Sequence, residues 1–295
     1  LAVREAAGAG TTPRRLRGPR GRRHLHGLYS TPPGAWDPAL LNTALLRAAT
    51  VSGQDVASHR SAALLWGFPG VRPPRDLELL STAGDRRRRV QGMAGRRGLV
   101  LPDETTIHRG VPVTTPARTW LDLAHRASVQ QLVLWADWLF NPVWGGDWDR
   151  AALSTPEELA RLIHSHRGKP GIRVARLAAD RARVGSDSPR ETALRLALVD
   201  AGLPEPAVNQ WITDPLTGER IHRGDLVYEE YRLTLEYEGR HHSDPDQVAR
   251  DIDRQERLDG VGWTEIRLSE RHARDGWRRA IVKTRSALAA RGWTG

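Results

Sequence analysis

Asp225, Glu236 and Glu238 stand within one short stretch, Gly-Asp225-Leu-Val-Tyr-Glu229-Glu230-Tyr-Arg-Leu-Thr-Leu-Glu236-Tyr-Glu238-Gly239. The stretch reads as a β-hairpin turning at Glu229-Glu230. Successive strand residues face opposite sides, so Leu233, Leu235 and Tyr237 form an apolar face while Arg232, Thr234, Glu236 and Glu238 share the other. Asp225 on the partner strand would face Thr234, or Glu236 if the loop is a residue or two longer. Carboxylates this close repel unless a cation neutralises them, and a set of hard oxygen donors favours Mg²⁺ or Mn²⁺ over zinc. The alternative is a half-exposed hairpin whose acids face water.

Two further groups flank the hairpin. Glu191 sits in Ser188-Pro189-Arg190-Glu191, a capping box with Ser188 as N-cap, Pro189 in the first turn and Glu191 reaching back to the cap amide. A role as an accessory acid is compatible with that cap. His241 and His242 follow the second strand. An imidazole there could orient or deprotonate a water, because its ordinary pKa lies near neutrality; His242 is the candidate and His241 reads as a turn residue.

Composition limits the chemistry. Among 295 residues there is no cysteine, which removes disulfides and thiolate metal sites and leaves carboxylate or histidine ligation. The formal charge is +10, and 45 Lys+Arg include only two lysines, Lys169 and Lys283. A basic surface concentrates polyanions that an acidic site would otherwise repel, so DNA is the expected partner, with RNA not separated from it. No apolar run reaches the length of a membrane span and no apolar signal core opens the chain, so no membrane partner and a cytoplasmic location are expected. The chain begins at Leu1 rather than Met, as expected of a fragment or an alternative start.

These side chains need elements to position them. Residues 1–27 form a basic arm, with seven arginines against Glu5. Residues 28–127 read as an α+β domain, with helices over Pro38–Ala49 and Ser58–Trp66 and strands near 77–80, 98–101 and 106–108. Another helix starts at Pro116 with Thr115 as N-cap, and Arg86 to Arg89 form a basic run. Residues 128–185 read as a helical connector in which Trp135 and Trp138 pack inward, and Thr155-Pro156-Glu157-Glu158 opens one of its helices. Residues 186–295 alternate helix and strand: a helix from Pro189 to Ala201, a strand near 208–213, the acidic hairpin, a helix from Pro245 to about Asp259, a strand over 263–268 and a last helix from Glu270. That order predicts an α/β fold, a mixed sheet between helices.

Ser188 to about Leu268 resembles the PD-(D/E)XK nuclease superfamily, in particular the group similar to very-short-patch-repair (Vsr) endonucleases. Ser188-Pro-Arg-Glu191-Thr, Ala201-Gly-Leu-Pro-Glu-Pro206, Gly224-Asp225-Leu, Leu235-Glu236-Tyr-Glu238-Gly239 with His242, Asp251 to Arg254, and Gly262-Trp263 carry the likeness. The resemblance implies a restriction-endonuclease-like sheet and a metal-dependent DNA endonuclease. Asp225 and Glu236 would hold Mg²⁺ (or Mn²⁺), with Glu191 as accessory ligand. Glu238 stands where the pattern has lysine, and Arg254 or His242 would have to replace that cation; otherwise the domain binds without cutting. A homodimer is compatible with this reading. The first part is similar to proteins with an AbiEi-type antitoxin domain, through Ser58-His-Arg-Ser-Ala-Ala-Leu-Leu-Trp-Gly67 and His108 to Ala124. That likeness implies DNA targeting, and as an alternative function a non-catalytic DNA-binding regulator or antitoxin that keeps a degenerate nuclease fold.

Overall fold

The computed structural model describes residues 12–18, 22–25, 28–30, 43, 45–47, 49–50, 55–82, 89–90, 92–142, 151–238 and 245–295. Most of the basic arm, positions 38–42 and 86–88, and both His241 and His242 lie outside the described residues. The chain divides into two compact units, Leu1–Trp135 with Ser154–Ala179, and Ala136–Leu153 with Asp180–Gly295. The segment 128–185 is largely helical where described, and its residues are shared between the two units.

In the first unit, a short helix α1 (Pro13–Arg17) and a two-stranded ribbon, β1 (Arg22–Leu25) and β2 (Leu28–Ser30), precede the main sheet. That sheet has six strands: β3 (Asp55–Ala57), β4 (Leu77–Ser81), β5 (Arg89–Val90), β6 (Met93–Arg96), β7 (Thr105–His108) and β8 (Val111–Thr114), in the order β5-β6-β4-β3-β8-β7. It is mixed, with β4/β6 and β3/β8 parallel and the other pairs antiparallel. Helix α2 (His59–Trp66) follows β3, and its apolar residues join Leu46, Leu77, Leu79, Val111 and Val113 in one core.

The strand expected at 98–101 is displaced. Residues 97–101 are irregular, and β6 lies at Met93–Arg96 because those residues pair in parallel with Leu77–Leu80. Leu99 is 60% exposed, so the apolar run that suggested a strand buries little. Strands β3 and β8 are three and four residues long, too short for alternation to reveal them.

Helix α3 (Pro116–Leu123) starts as the sequence predicts, with Thr115 Oγ1 accepting from the Arg118 amide at 3.3 Å. It carries fully buried charge. Arg118 donates from Nε to Asp122 Oδ1 at 2.9 Å and pairs through Nη1 with Glu104. Glu104 also lies 2.5 Å from His166 Nε2, and Lys169 Nζ lies 2.8 Å from Asp122 Oδ1. His166 and Lys169 follow helix α5 (Pro156–Ser165), so the pairs tie α3 to the segment beyond it. Helix α4 (Val129–Phe140) lies between α3 and α5 in the chain.

The second unit takes the end of α4, the end of α6 (Ile172–Arg181), and then α7 (Pro189–Asp200), β9 (Ala207–Thr213), β10 (Arg220–Tyr228), β11 (Leu233–Glu238), α8 (Pro245–Gly260), β12 (Thr264–Ser269), α9 (Glu270–Arg274) and α10 (Arg278–Ala290). Its sheet runs β12-β11-β10-β9, antiparallel across β9, β10 and β11 and parallel between β11 and β12. One face packs Leu226, Leu233, Leu235, Ile266 and Leu268 against Leu194 and Leu198 of α7 and Leu288 of α10. The other packs Ile212, Val227 and Trp263 against Leu258 of α8. This is the mixed α/β arrangement the alternating pattern predicts. The last helical stretch is two helices rather than one, because Trp277 takes a left-handed conformation at φ 69° and ends the first turn of chain. Among the described residues no helix is long and apolar enough to cross a membrane.

Asp137, fully buried in α4, accepts from Arg195 Nη2 and Thr192 Oγ1, each at 2.9 Å, and from the Arg183 amide at 2.7 Å. Removing one partner of such a pair strands the other charge. Asp137→Ala is therefore expected to lower unfolding free energy by about 3–5 kcal/mol in a denaturant titration; a loss below about 1 kcal/mol, the range of an exposed pair, would contradict the pairing.

Candidate functional site

The hairpin closes through a 3₁₀ turn at Glu229–Tyr231 and a left-handed Arg232 at φ 47°. Its register pairs Leu226 with Leu235 and Val227 with Thr234, so Asp225 falls level with Glu236, the second of the two registers the sequence allows. Backbone pairing stops there. Asp225 Oδ2 instead accepts the Tyr237 amide at 2.7 Å. Thr234 Oγ1 donates to Glu236 Oε1 at 2.9 Å, which fixes the carboxylate on a face where Glu236 is only 9% exposed.

Gly224 is required by this packing. A Cβ at 224 would lie 2.2 Å from Thr234 Oγ1 and 3.3 Å from Glu236 Oε1. The missing side chain is thus the space in which the threonine and the carboxylate meet.

Glu191 is brought to the same neighbourhood by the N-terminus of α7. Ser188 Oγ accepts the Glu191 amide at 3.2 Å, as the capping box predicts. The return contact differs from expectation: Glu191 Oε2 accepts the Asp187 amide at 2.9 Å and Asn209 Nδ2 at 3.0 Å, reaching one residue past the cap. Asn209 sits on β9 at φ 50°, so sheet and helix hold this carboxylate jointly.

Electrostatics confirm that the three acids share a field. Burial, then Glu236 and then Glu191 push the Asp225 carboxyl up to about 8. Burial also raises Glu191, against the amide and hydroxyl donors around it. Without a cation, one proton stays on this cluster near neutrality.

The remaining sequence candidates lie apart from it. Glu238 is half exposed at the strand end and pairs with Arg267 Nη1 at 3.3 Å. Arg254 Nε meets Glu265 at 3.1 Å and its Nη1 meets Asp251 at 3.2 Å, so its charge is committed to those two acids. His242 lies outside the described residues.

Two residues that sequence reasoning missed complete the picture. His222 Nε2 lies 2.9 Å from Glu236 Oε1, yet at an angle that leaves it without a hydrogen bond. Glu265, with a fully buried side chain, enters because β12 runs parallel to β11 and sets it level with Thr234. His222, Glu236 and Glu265 place ligand atoms within 4.8 Å of one another. Glu265 already receives Arg254 and Arg267, the latter at 2.5 Å, so the donors available to a cation are Asp225, Glu236, Glu191 and His222. Oxygen donors predominate, and they carry unneutralised charge: the set fits a hard divalent cation. The only sequence signal for His222 is that it shares a strand with Asp225, which depends on β10 beginning at Arg220.

Comparison with known proteins concerns mainly the first unit. Residues 55–138 match the model of the AbiEi antitoxin C-terminal domain. Two uncharacterized proteins from two strains of Mycobacterium tuberculosis are each 27% identical over 256 residues, which covers 82% of this chain and 82% of theirs. No solved structure matches significantly. The carboxylate cluster lies beyond the residues that match the antitoxin domain.

Two outcomes follow for the metal-free protein. Because the folded pKa of Asp225, about 8, lies above the unfolded value near 3.9, the folded state holds more protons between them, and this group's contribution to stability declines as pH rises from about 4 to about 8. Asp225→Asn removes that decline, so its Tm in EDTA should exceed wild type at pH 8 and converge toward it near pH 4; parallel Tm curves would refute the assignment. Gly224→Ala should lower stability by about 1–3 kcal/mol through the overlap with Thr234, measured by denaturant titration. Gly224→Ala combined with Thr234→Ala should recover part of the loss.

Proposed function

We propose that the protein is a DNA-binding regulator of the AbiEi antitoxin type, whose second unit keeps a nuclease-like α/β scaffold and binds more readily than it cuts. The observation that carries this reading is the match of residues 55–138 to the antitoxin domain. The net charge of +10 supports a polyanionic partner. The acidic site supports the non-cutting half of the proposal. Glu238, which stands at the lysine position of the nuclease pattern, is tied to Arg267, and Arg254 is tied to Glu265 and Asp251. Neither supplies a cation to a water beside Asp225 and Glu236.

A second reading, a metal-dependent endonuclease, is favoured by one observation: Asp225, Glu236 and Glu191 share a field strong enough to push Asp225 up to about 8. Asp225 and Glu236 would hold Mg²⁺ or Mn²⁺, with Glu191 behind them. The cation would supply positive charge to the phosphoryl oxygens and acidify a bound water. His222, beside Glu236 and lacking a hydrogen bond, would accept the proton in place of the lysine. Thr234 and the Tyr237 amide keep the two carboxylates oriented.

Plasmid incubated with the protein over a series of Mg²⁺ and Mn²⁺ concentrations, beside Asp225→Ala and Glu236→Ala, separates the two. The regulator reading expects intact plasmid throughout and gel-shift affinity in the variants within about threefold of wild type. Affinity should also fall steeply as salt rises, as phosphate contacts demand. Metal-dependent cutting by wild type that both variants lose would replace this reading with the endonuclease. Absence of any salt-sensitive DNA binding would sink both.

A further inference from the structure

The first unit holds a second constellation, remote in chemistry from the acidic site and independent of the function proposed above. His59 opens α2 in a left-handed conformation, φ 50°, which is uncommon for a residue other than glycine and is retained only where surrounding structure enforces it. Its ring is buried, with Nδ1 2.9 Å from Ser58 Oγ, and it meets the His125 ring edge-on with centroids 5.5 Å apart. Burial, reinforced by Arg96 and Lys169, lowers the His59 pKa to about 4, so this imidazole is neutral at physiological pH.

The helix that follows is capped from elsewhere in the fold. Glu78 Oε2 on β4 accepts the Arg60 amide at 2.8 Å, and Glu78 also pairs with Arg96 at 3.1 Å. This holds Arg96 beside the His59 ring. On the other side, Asp122 is held ionised: burial opposes its charge, but His59, Lys169 and Arg118 outweigh that and keep its carboxyl below the usual range.

Between these groups lies a cavity of about 350 Å³, walled by His59, His125, Arg96, Arg97, Lys169 and Asp122. A second cavity of about 450 Å³ shares His59 and His125 and adds Gln131 and Trp135. Both fall in the size range of small-molecule sites. Two polar atoms are buried without a hydrogen-bond partner among the described residues, Arg96 Nε and Asp122 Oδ2. A buried donor or acceptor left unmade costs about 1–3 kcal/mol, so such atoms call for a ligand that completes them. Here one atom must donate and the other must accept. Three cations against one carboxylate select an anion, and the orphan carboxylate oxygen selects an anion that also carries a hydroxyl or amine.

We propose that these two cavities bind a nucleoside monophosphate, free or as the phosphorylated end of a nucleic-acid chain. Its phosphate lies among Arg96, Arg97 and Lys169, a hydroxyl donates to Asp122 Oδ2, and its base extends past the two imidazoles toward Gln131 and Trp135. Arg97 and Lys169 supply flexible cationic ends, while the guanidinium of Arg96 is oriented by Glu78 before the ligand arrives.

Calorimetric titration of the full chain at fixed ionic strength with AMP, GMP, CMP and UMP, and separately with adenosine, inorganic sulfate, and 5′-phosphorylated and 5′-hydroxyl oligonucleotides, tests this. At least one monophosphate or the 5′-phosphorylated oligonucleotide should bind, and the same compound without its phosphate should bind at least about tenfold more weakly, the loss of one or more charge-assisted contacts. Binding of monophosphates identifies the free nucleotide as the source, and binding of the phosphorylated oligonucleotide alone identifies the chain end. Lys169→Met, which keeps the stem and removes the charge, should weaken binding at least about tenfold. Ala94→Leu, which fills the first cavity and alters no charge, should abolish it and decides the matter if Lys169→Met melts below wild type. No binding by any phosphate compound, sulfate bound as tightly as the phosphates, or a folded Ala94→Leu that binds as wild type does would overturn the proposal.

Discussion

Buried charge tolerates no vacancy in its partners, and both units are arranged around that constraint. In the first, Glu104, Arg118, Asp122 and Lys169 alternate in sign along one buried path, with His166 against Glu104. In the second, Asp137 gathers Arg195, Thr192 and a backbone amide in a site with no exposure. Hydrophobic burial makes the sheets and helices compact, but it is indifferent to rotation of a helix by one position. A buried guanidinium that must reach a particular carboxylate is not indifferent. These pairs set which residues of α3 and α4 face inward, and so fix where the functional side chains emerge.

The interesting places are those where the pairing is incomplete. The carboxylate cluster of the second unit has three acids and no cation among the described residues that contact it, so a proton stays on it at neutral pH. The cavity around His59 has cations beyond what its acids neutralise, and two buried atoms with nothing to bond. Opposite deficits imply opposite ligands: a cation in one unit, an anion in the other. Neither deficit is repaired by an apolar substitute, because the groups are held by Thr234 and Tyr237 in one case and by Glu78 and Arg118 in the other.

The same geometry explains why an antitoxin-like domain and a nuclease-like scaffold can occur in one chain without implying that the chain cuts. Catalysis on a phosphodiester needs a cation for charge and a group to take a proton. Asp225 and Glu236 provide for the first, while the arginines nearest in sequence are drawn to Glu265, Asp251 and Glu238. The scaffold thus keeps its acids and spends its arginines on itself, leaving His222 as the one base beside Glu236.

Much of this was legible from residue types. The capping residues Ser188, Thr115 and Thr155 announced their helices because a side-chain oxygen beside free amides acts locally. The alternation Leu233, Leu235, Tyr237 announced a strand, and the even spacing of Glu236 placed it on the other face. Position 191 announced a cap, although its carboxylate bonds Asp187 and Asn209 rather than the cap amide. Each of these rests on contacts within a few residues, which the order of amino acids determines by itself. The register that sets Asp225 level with Glu236, the parallel strand that delivers Glu265, the reach of His222 to Glu236, and the meeting of His59, Arg96, Asp122 and Lys169 were decided only by the tertiary structure. They join residues tens of positions apart, and nothing in local periodicity states which strand will lie beside which, or which buried charge will find which partner.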